Sequence, residues 1–494
     1  MGDVRIRRLV LPALAALVVL ASVCDAADEA PGLPRDEWQA VFMGAKRIGY
    51  AHIDMRREGD VVVTRNEIMM TLRRFGTDVT VKMEETFRER VDGTPLSFST
   101  VQETGGMAMR TAGTITAGKL HLVTAQGTRR REKVYDWDAE AVFPYALERT
   151  MKSVELKPGA AFTVKVFSPD ASLTEPVEVA LKVIGPETVD VLGVAHEAIK
   201  IESRISKLPG VVETSWVDSR GDALVTAVSV MKLRLVRCTK EYALGEVEPA
   251  EIGDAMLVKP DKQLWFPGRL KRLVVRLSTE DGSPFAVELA SAGHQRVVER
   301  TEESVTLEIS IEPAETEEKN LAPYRARSTF VDCEDERIVA AARKAVGDET
   351  DPWRKAQALR RAVYELVEAK SFDVAMATAS EVIQNKEGDC TEHAVLLAAM
   401  ARAEGLPSRV AIGLMYIGGR FGYHMWTQVY VDGAWRDVDA VLPGRDFDAA
   451  HIRLATSALN DDDFLFDIAA FAAVFGNLKI EILEKEYAKR QRPD

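Results

Sequence analysis

Cys390 follows Gly388 and Asp389 and opens the apolar run "TEHAVLLAAMARAEG". Cysteine attacks as the thiolate, and unpaired backbone N–H groups at a helix start favour that form. Asp389 with Glu392 three residues on reads as a capping box with Asp in place of Ser or Thr, and Gly405 with Pro407 supplies the stop. The pattern therefore predicts Cys390 in the first turn of a helix. A cysteine that merely filled a core would sit more naturally among Ala394 to Met400.

A thiolate nucleophile works with a base, and the base with a group that orients it. Asp432-Gly433 is a two-residue hairpin signal, which sets Val431 opposite Ala434, Tyr430 opposite Trp435, Gln428 opposite Asp437 and Trp426 opposite Asp439. In that register His424 and Asp439 are diagonal neighbours on one face, within side-chain reach. Asp437 has the same parity but lies one pair further off. Cys390, His424 and Asp439 are thus the candidate catalytic residues, as nucleophile, base and orienting acid. A metal reading would gather Cys390, His393, His424 and Asp439. One thiolate and no close Cys-x-x-Cys or His-Glu-x-x-His pair make it the weaker reading, so neither metal nor cofactor is expected. His393 has reach enough to act as base, but no acid is predicted beside it. Trp426, Tyr430 and Trp435 share the candidate face and read as core or wall before they read as substrate platforms. Gly418, Gly419 and Gly422 fit either a mobile edge or a plain turn.

The elements that must hold these residues change character along the chain. Residues 36–250 show short alternating runs such as "VVVTRNEIMMTL" and "VEVALKVIG" broken by Gly-rich turns, an all-β antiparallel pattern. A second β stretch fills 269 to 313 and predicts a small β module over 251–320. From Cys333 the spacing becomes three and four, as in "DPWRKAQALRRAVYELVEAK", and Asp351-Pro352 marks a helix start. Residues 325–450 are the expected catalytic domain, with strands over "PSRVAIGLMYI", "YHMWTQVYV" and "AWRDVDAVL". Residues 451–494 are expected to add a helix and one strand packed on it. The fold class is α+β, helices on an antiparallel sheet after an all-β region.

These blocks resemble the transglutaminase-like superfamily. "EGDCTEHAVLLAAMARAEGLPSRVAIGL" and "FGYHMWTQVYVDGAWRDVDAVLP" carry a Gly-Asp-Cys helix start, a Gly-Leu-Pro-x-Arg strand entry, a His-x-Trp strand and a Trp-x-x-x-Asp strand, in order. The resemblance, over about 330 to 445, implies a papain-like arrangement with Cys390 as nucleophile, His424 as general base and Asp439 as orienting acid. The family's usual Asp-Pro stands here as Asp439-Ala440, which loosens the next turn and leaves the triad untouched. By the same analogy the Cys390 N–H and a second donor would form an oxyanion hole. Gln384 has the reach, though an exposed helix-end glutamine explains it as well. The implied activity is thiol acyl transfer on amide bonds of protein or peptide substrates, as a peptidase or amidase with water or a transglutaminase with an amine. The competing class is an idle transglutaminase-like scaffold of the cell envelope.

Arg5, Arg7 and Arg8, an apolar stretch from Leu9 to Val23 and small residues at Ala26 and Ala27 have the layout of a cleaved signal peptide over residues 1–26. The stretch is shorter than the roughly 20 residues of a membrane span. Expected localisation is secreted or periplasmic, with no integral membrane span and room for a cell-envelope partner at the β region. A net charge of −13 argues against nucleic acid as a partner. Of four cysteines, Cys24 leaves with the leader, and Cys238 and Cys333 are free to pair across the domain junction if Cys390 is the working thiol.

Overall fold

The computed structural model describes residues 33–74, 76–104, 107–126, 129–152, 155–206, 208, 210–253, 255–367, 377–442, 447–460 and 474–489. The leader-type segment and most of the expected C-terminal helix lie outside them. The chain divides into two compact units, one through Ile252 and one from Gly253.

In the first unit a long antiparallel meander runs from Arg35–Met43 to Arg129–Asp136, each strand pairing with its sequence neighbour. A second meander, Ala161–Val166 to Leu233–Cys238, joins it where Trp38 pairs with Cys238. Alternation drives this sheet: along Val177–Val191 buried Val177, Val179, Leu181 and Val183 alternate with exposed residues. Phe87, Phe98, Phe143 and Phe167 pack edge-on or tilted in one core. The all-β expectation for 36–250 passes over two helices among the described residues, the short Lys240–Ala243 and the longer Pro144–Lys152. The N-terminus of the longer one is held by buried Glu89, whose carboxylate accepts from Tyr145 N at 2.8 Å and Ala146 N at 3.0 Å. A non-local acid at a helix start leaves no local capping signal to read.

The second unit contains two sheets and four helices among the described residues. The first sheet orders its strands Gly293–Arg300, Ser304–Ala314, Leu270–Thr279 and Leu478–Tyr487. The stretch expected as a small module over 251–320 therefore draws its edge strand from the end of the chain, and it belongs to the same compact unit as the helices. Strand patterning names a strand's faces and not its neighbour, so the sequence leaves open which sheet this last strand joins.

The second sheet centres on Arg420–Val431, paired with Ser408–Ile417 on one side and with Ala434–Val438 and Leu257–Val258 on the other. A further strand, His451–Ser457, pairs with Ser408–Ile417. The expected strand over "AWRDVDAVL" stops at Val438, and residues 451–457 enter this sheet rather than an appended tail. Helix Cys390–Ala403 is buried at every residue from Cys390 to Arg402, with the apolar run Ala394–Ala401 in its middle. Thr427 Oγ1 donates to Ala394 O at 2.9 Å and Ser408 Oγ to Ala398 O at 2.8 Å, fixing the helix on these strands. Arg402 closes its far end by donating to Ser408 O at 2.9 Å.

Candidate active site

Cys390 is the first residue of its helix and is buried. Asp389 accepts from Thr391 N at 3.0 Å, and Glu392 Oε2 accepts from Asp389 N at 2.8 Å, the reciprocal capping box. The other Glu392 oxygen accepts from Ala377 N at 3.2 Å, so one side chain ties two segments to the helix start. Gly388 is required there. Its φ of +157° lies in the region L side chains avoid, and an added Cβ would stand 2.2 Å from Glu392 Cβ.

The hairpin turn at Asp432-Gly433 has φ of +53° and +75°, the primed geometry that an Asp-Gly pair accommodates. Val431 pairs with Ala434, Tyr430 with Trp435 and Gln428 with Asp437. Asp439 follows the end of this strand, and its Oδ2 lies 3.0 Å from His424 Nε2 with both side chains buried. A carboxylate only accepts, so Nε2 carries the proton and Nδ1 is left as the basic nitrogen. His424 Nδ1 is itself buried and has no hydrogen-bond partner. The structure thus joins His424 to Asp439 and sets Cys390 at the mouth of a helix packed on the same strand. No hydrogen bond links the sulfur to Nδ1.

Asp437 is turned elsewhere, accepting from Gln428 Nε2 at 2.8 Å and from Trp426 Nε1. Trp426 lies nearly parallel to His424, centroids 6.0 Å apart. Trp435 is covered by the Arg409 guanidinium at 3.9 Å and edged by Tyr430, which donates to Thr316 O. All three aromatics are wall or core. Gly418 and Gly419 form the tight turn between Ile417 and Arg420, and Gly422 lies inside the strand. Gln384 is exposed and accepts from Arg337. His393 Nδ1 bonds the Asp389 carbonyl at 2.6 Å, within its own helix. Cys238, Cys333 and Cys390 are free thiols.

One residue at the site was missed from sequence. His451 Nε2 lies 3.5 Å from the same Asp439 oxygen that His424 bonds. The alternation in "HIRLATS" is a strand signal, but nothing local names the strand it pairs with. Burial works against charge on Asp439, yet attraction and hydrogen bonding from His424, then from His451, hold its carboxyl well below the usual range. The donor atoms of His424, Asp439 and His451 lie within 4.8 Å of one another. The bond to His424 and the ion pair to His451 account for that spacing through protons.

Residues 339–440 match the family model of the Transglutaminase-like superfamily. No curated protein matches the sequence. Three solved structures resemble parts of the chain. A "Putative Cysteine Protease" from Cytophaga hutchinsonii is 17% identical over 46% of this chain and 93% of its own, with a TM-score of 0.31. A β-barrel-like protein of a domain of unknown function from Brucella abortus is 12% identical over 44% of this chain and 98% of its own, with a TM-score of 0.34. A "Putative Protease" from Parabacteroides distasonis is 11% identical over 68% of this chain and 64% of its own, with a TM-score of 0.17. Among the described residues no helix is long and apolar enough to cross a membrane. The cysteine helix and the histidine hairpin both lie inside the span, residues 339–440, that is similar to the Transglutaminase-like superfamily.

Proposed function

We propose that the protein is an extracytoplasmic thiol acyl-transfer enzyme acting on amide bonds of protein or peptide substrates, with Cys390, His424 and Asp439 as its triad. The observation that carries this reading is the His424–Asp439 hydrogen bond of 3.0 Å, which leaves Nδ1 buried, unpartnered and basic within the family core. Cys390 passes its thiol proton to His424 Nδ1, and the resulting thiolate attacks the amide carbonyl as a C–S bond forms. His424 gives its Nδ1 proton to the leaving amine as the C–N bond breaks. Water or a second amine then attacks the thioester, His424 takes its proton, and the sulfur leaves as thiolate. Water as acceptor makes the reaction hydrolysis, and an amine makes it cross-linking. The extracytoplasmic part rests on the leader-type pattern of residues 1–26.

The test is iodoacetamide labelling of Cys390 at about pH 6.5, where an ordinary thiol is almost wholly protonated. Labelling well above that of a model thiol, lost in Cys390→Ala and slowed in His424→Ala, is the expected result. Labelling no faster than the model thiol would favour an idle scaffold. Incubation with peptide and amine-donor libraries, read by mass, then separates added water from an added amine.

A further inference from the structure

We infer that His451 is a positioning residue of this site, holding the Asp439 carboxylate in place for His424 as a charged imidazolium. The inference rests on the acyl-transfer reading of Cys390, His424 and Asp439.

The ring's contacts determine its proton count. His451 Nδ1 lies 3.1 Å from the backbone carbonyl of Asp448 and 3.2 Å from Asp448 Oδ1. Both oxygens only accept, so Nδ1 carries a hydrogen. Nε2 faces Asp439 Oδ2 at 3.5 Å. A neutral ring protonated at Nδ1 would aim a lone pair at a carboxylate. A ring protonated at both nitrogens aims an N–H there instead, and only that form is attractive in a buried site. Val441 N then donates to Asp439 Oδ1 at 2.9 Å and His424 to Oδ2, while the charged His451 ring faces Oδ2 as an ion pair at 3.5 Å rather than as a formed hydrogen bond.

Among the described residues the ring has two acids against it. The acids facing it are Asp439 and Asp448. Of the other charged or titratable groups, the His424 ring lies 5.9 Å away, and Arg453, on the same strand as His451, donates to Ala290 O at 2.8 Å. Phe447 and Trp426 cover it, centroids at 4.9 and 5.3 Å. Burial disfavours the charge, but the close carboxylates of Asp439 and Asp448, the latter hydrogen-bonded to Nδ1, outweigh it, and the pKa is pushed up to about 10. Gly413 makes the approach of this strand possible: it pairs with both His424 and Arg453, and a Cβ there would meet Ile452 O at 2.0 Å.

Two measurements on the full chain test the inference. By ring-nitrogen NMR, His451 of the wild type should carry both protons at about pH 8, and Asp448→Asn should lower its titration midpoint by about one unit or more. A ring already neutral at about pH 6.5 would overturn the inference whatever the site's reactivity. In the labelling assay, His451→Gln should slow Cys390 by roughly tenfold to a hundredfold, as displacement of a catalytic group does. Because His451 acts through Asp439, the His451→Gln, Asp439→Asn double variant should label no more slowly than Asp439→Asn alone. Wild-type rates in His451→Gln, or losses that multiply in the double variant, would sink the positioning role. If His451→Gln does not fold, the wild-type NMR titration decides. Slow labelling of the wild type itself refutes the acyl-transfer reading and is separate from the NMR result.

Discussion

Asp439 and His451 form a buried ion pair of 3.5 Å on the same carboxylate oxygen that His424 bonds at 3.0 Å. The Asp439 carboxylate is therefore shared between two imidazoles, one on the hairpin strand and one on a strand that follows it in sequence. Removing charge from the shared group should disturb both.

Asp439→Asn should lower Cys390 labelling at neutral pH by about a hundredfold or more, in the range of an acid–base contribution. Asparagine presents an amide that both donates and accepts, so the Nε2–H form of His424 is no longer enforced. Near-ultraviolet circular dichroism should remain native. Labelling at the wild-type rate would remove Asp439 from the site.

The helix start is held by a cap and by a glycine, and each gives a stability prediction. Asp389→Ala deletes the acceptor of Thr391 N and should cost about 1 kcal/mol, seen in denaturant unfolding. Gly388→Ala combines a strained φ of +157° with a collision against Glu392, and it should also loosen the Glu392 bond to Asp389 N. Both variants should label Cys390 more slowly. A Gly388→Ala protein as stable as wild type would refute the close approach.

The first unit buries acids whose pKa values are pushed up by burial: Asp170 to about 6, Glu89 to about 7 and Glu213 to about 8. Folded, each holds its proton more tightly than unfolded, so stability falls as pH climbs from the ordinary carboxylate range to about 8. His451 works in the other unit and at higher pH. Its raised value stabilises the fold below the ordinary histidine range, and that contribution is lost as pH rises towards about 10. Thermal melts against pH should show both declines. Glu213→Gln should flatten the first and His451→Gln the second.

Cys238 and Cys333 have thiols pushed up by burial. Of the three cysteines among the described residues, brief alkylation at neutral pH should therefore modify Cys390 first, with Cys238 and Cys333 reacting on denaturation. Peptide mapping of the alkylated protein checks this, and equal labelling of all three would contradict it.

Local signals carried much of the site. The Asp389–Glu392 cap, the Asp-Gly turn and the pairing of Gln428 with Asp437 are each decided within a few residues, which is why the His424–Asp439 relation could be read from register. The cap on Pro144–Lys152 comes instead from Glu89, more than fifty residues away, and that helix was not legible. The same holds for the two strands His451–Ser457 and Leu478–Tyr487. Their alternation fixes two faces and leaves the neighbour open, because an exposed strand edge accepts any strand of matching direction.

By itself the sequence determined a cysteine at a capped helix start, a histidine and an acid on one face of a hairpin, and a β-rich region before them. These depend on hydrogen bonds and turns that neighbouring residues make. Only the tertiary structure decided that Leu478–Tyr487 completes the sheet begun at Leu270, that Cys238 and Cys333 stay thiols, and that His451 meets Asp439. Such contacts join residues far apart in the chain, and burial of the whole unit, rather than any local preference, selects them.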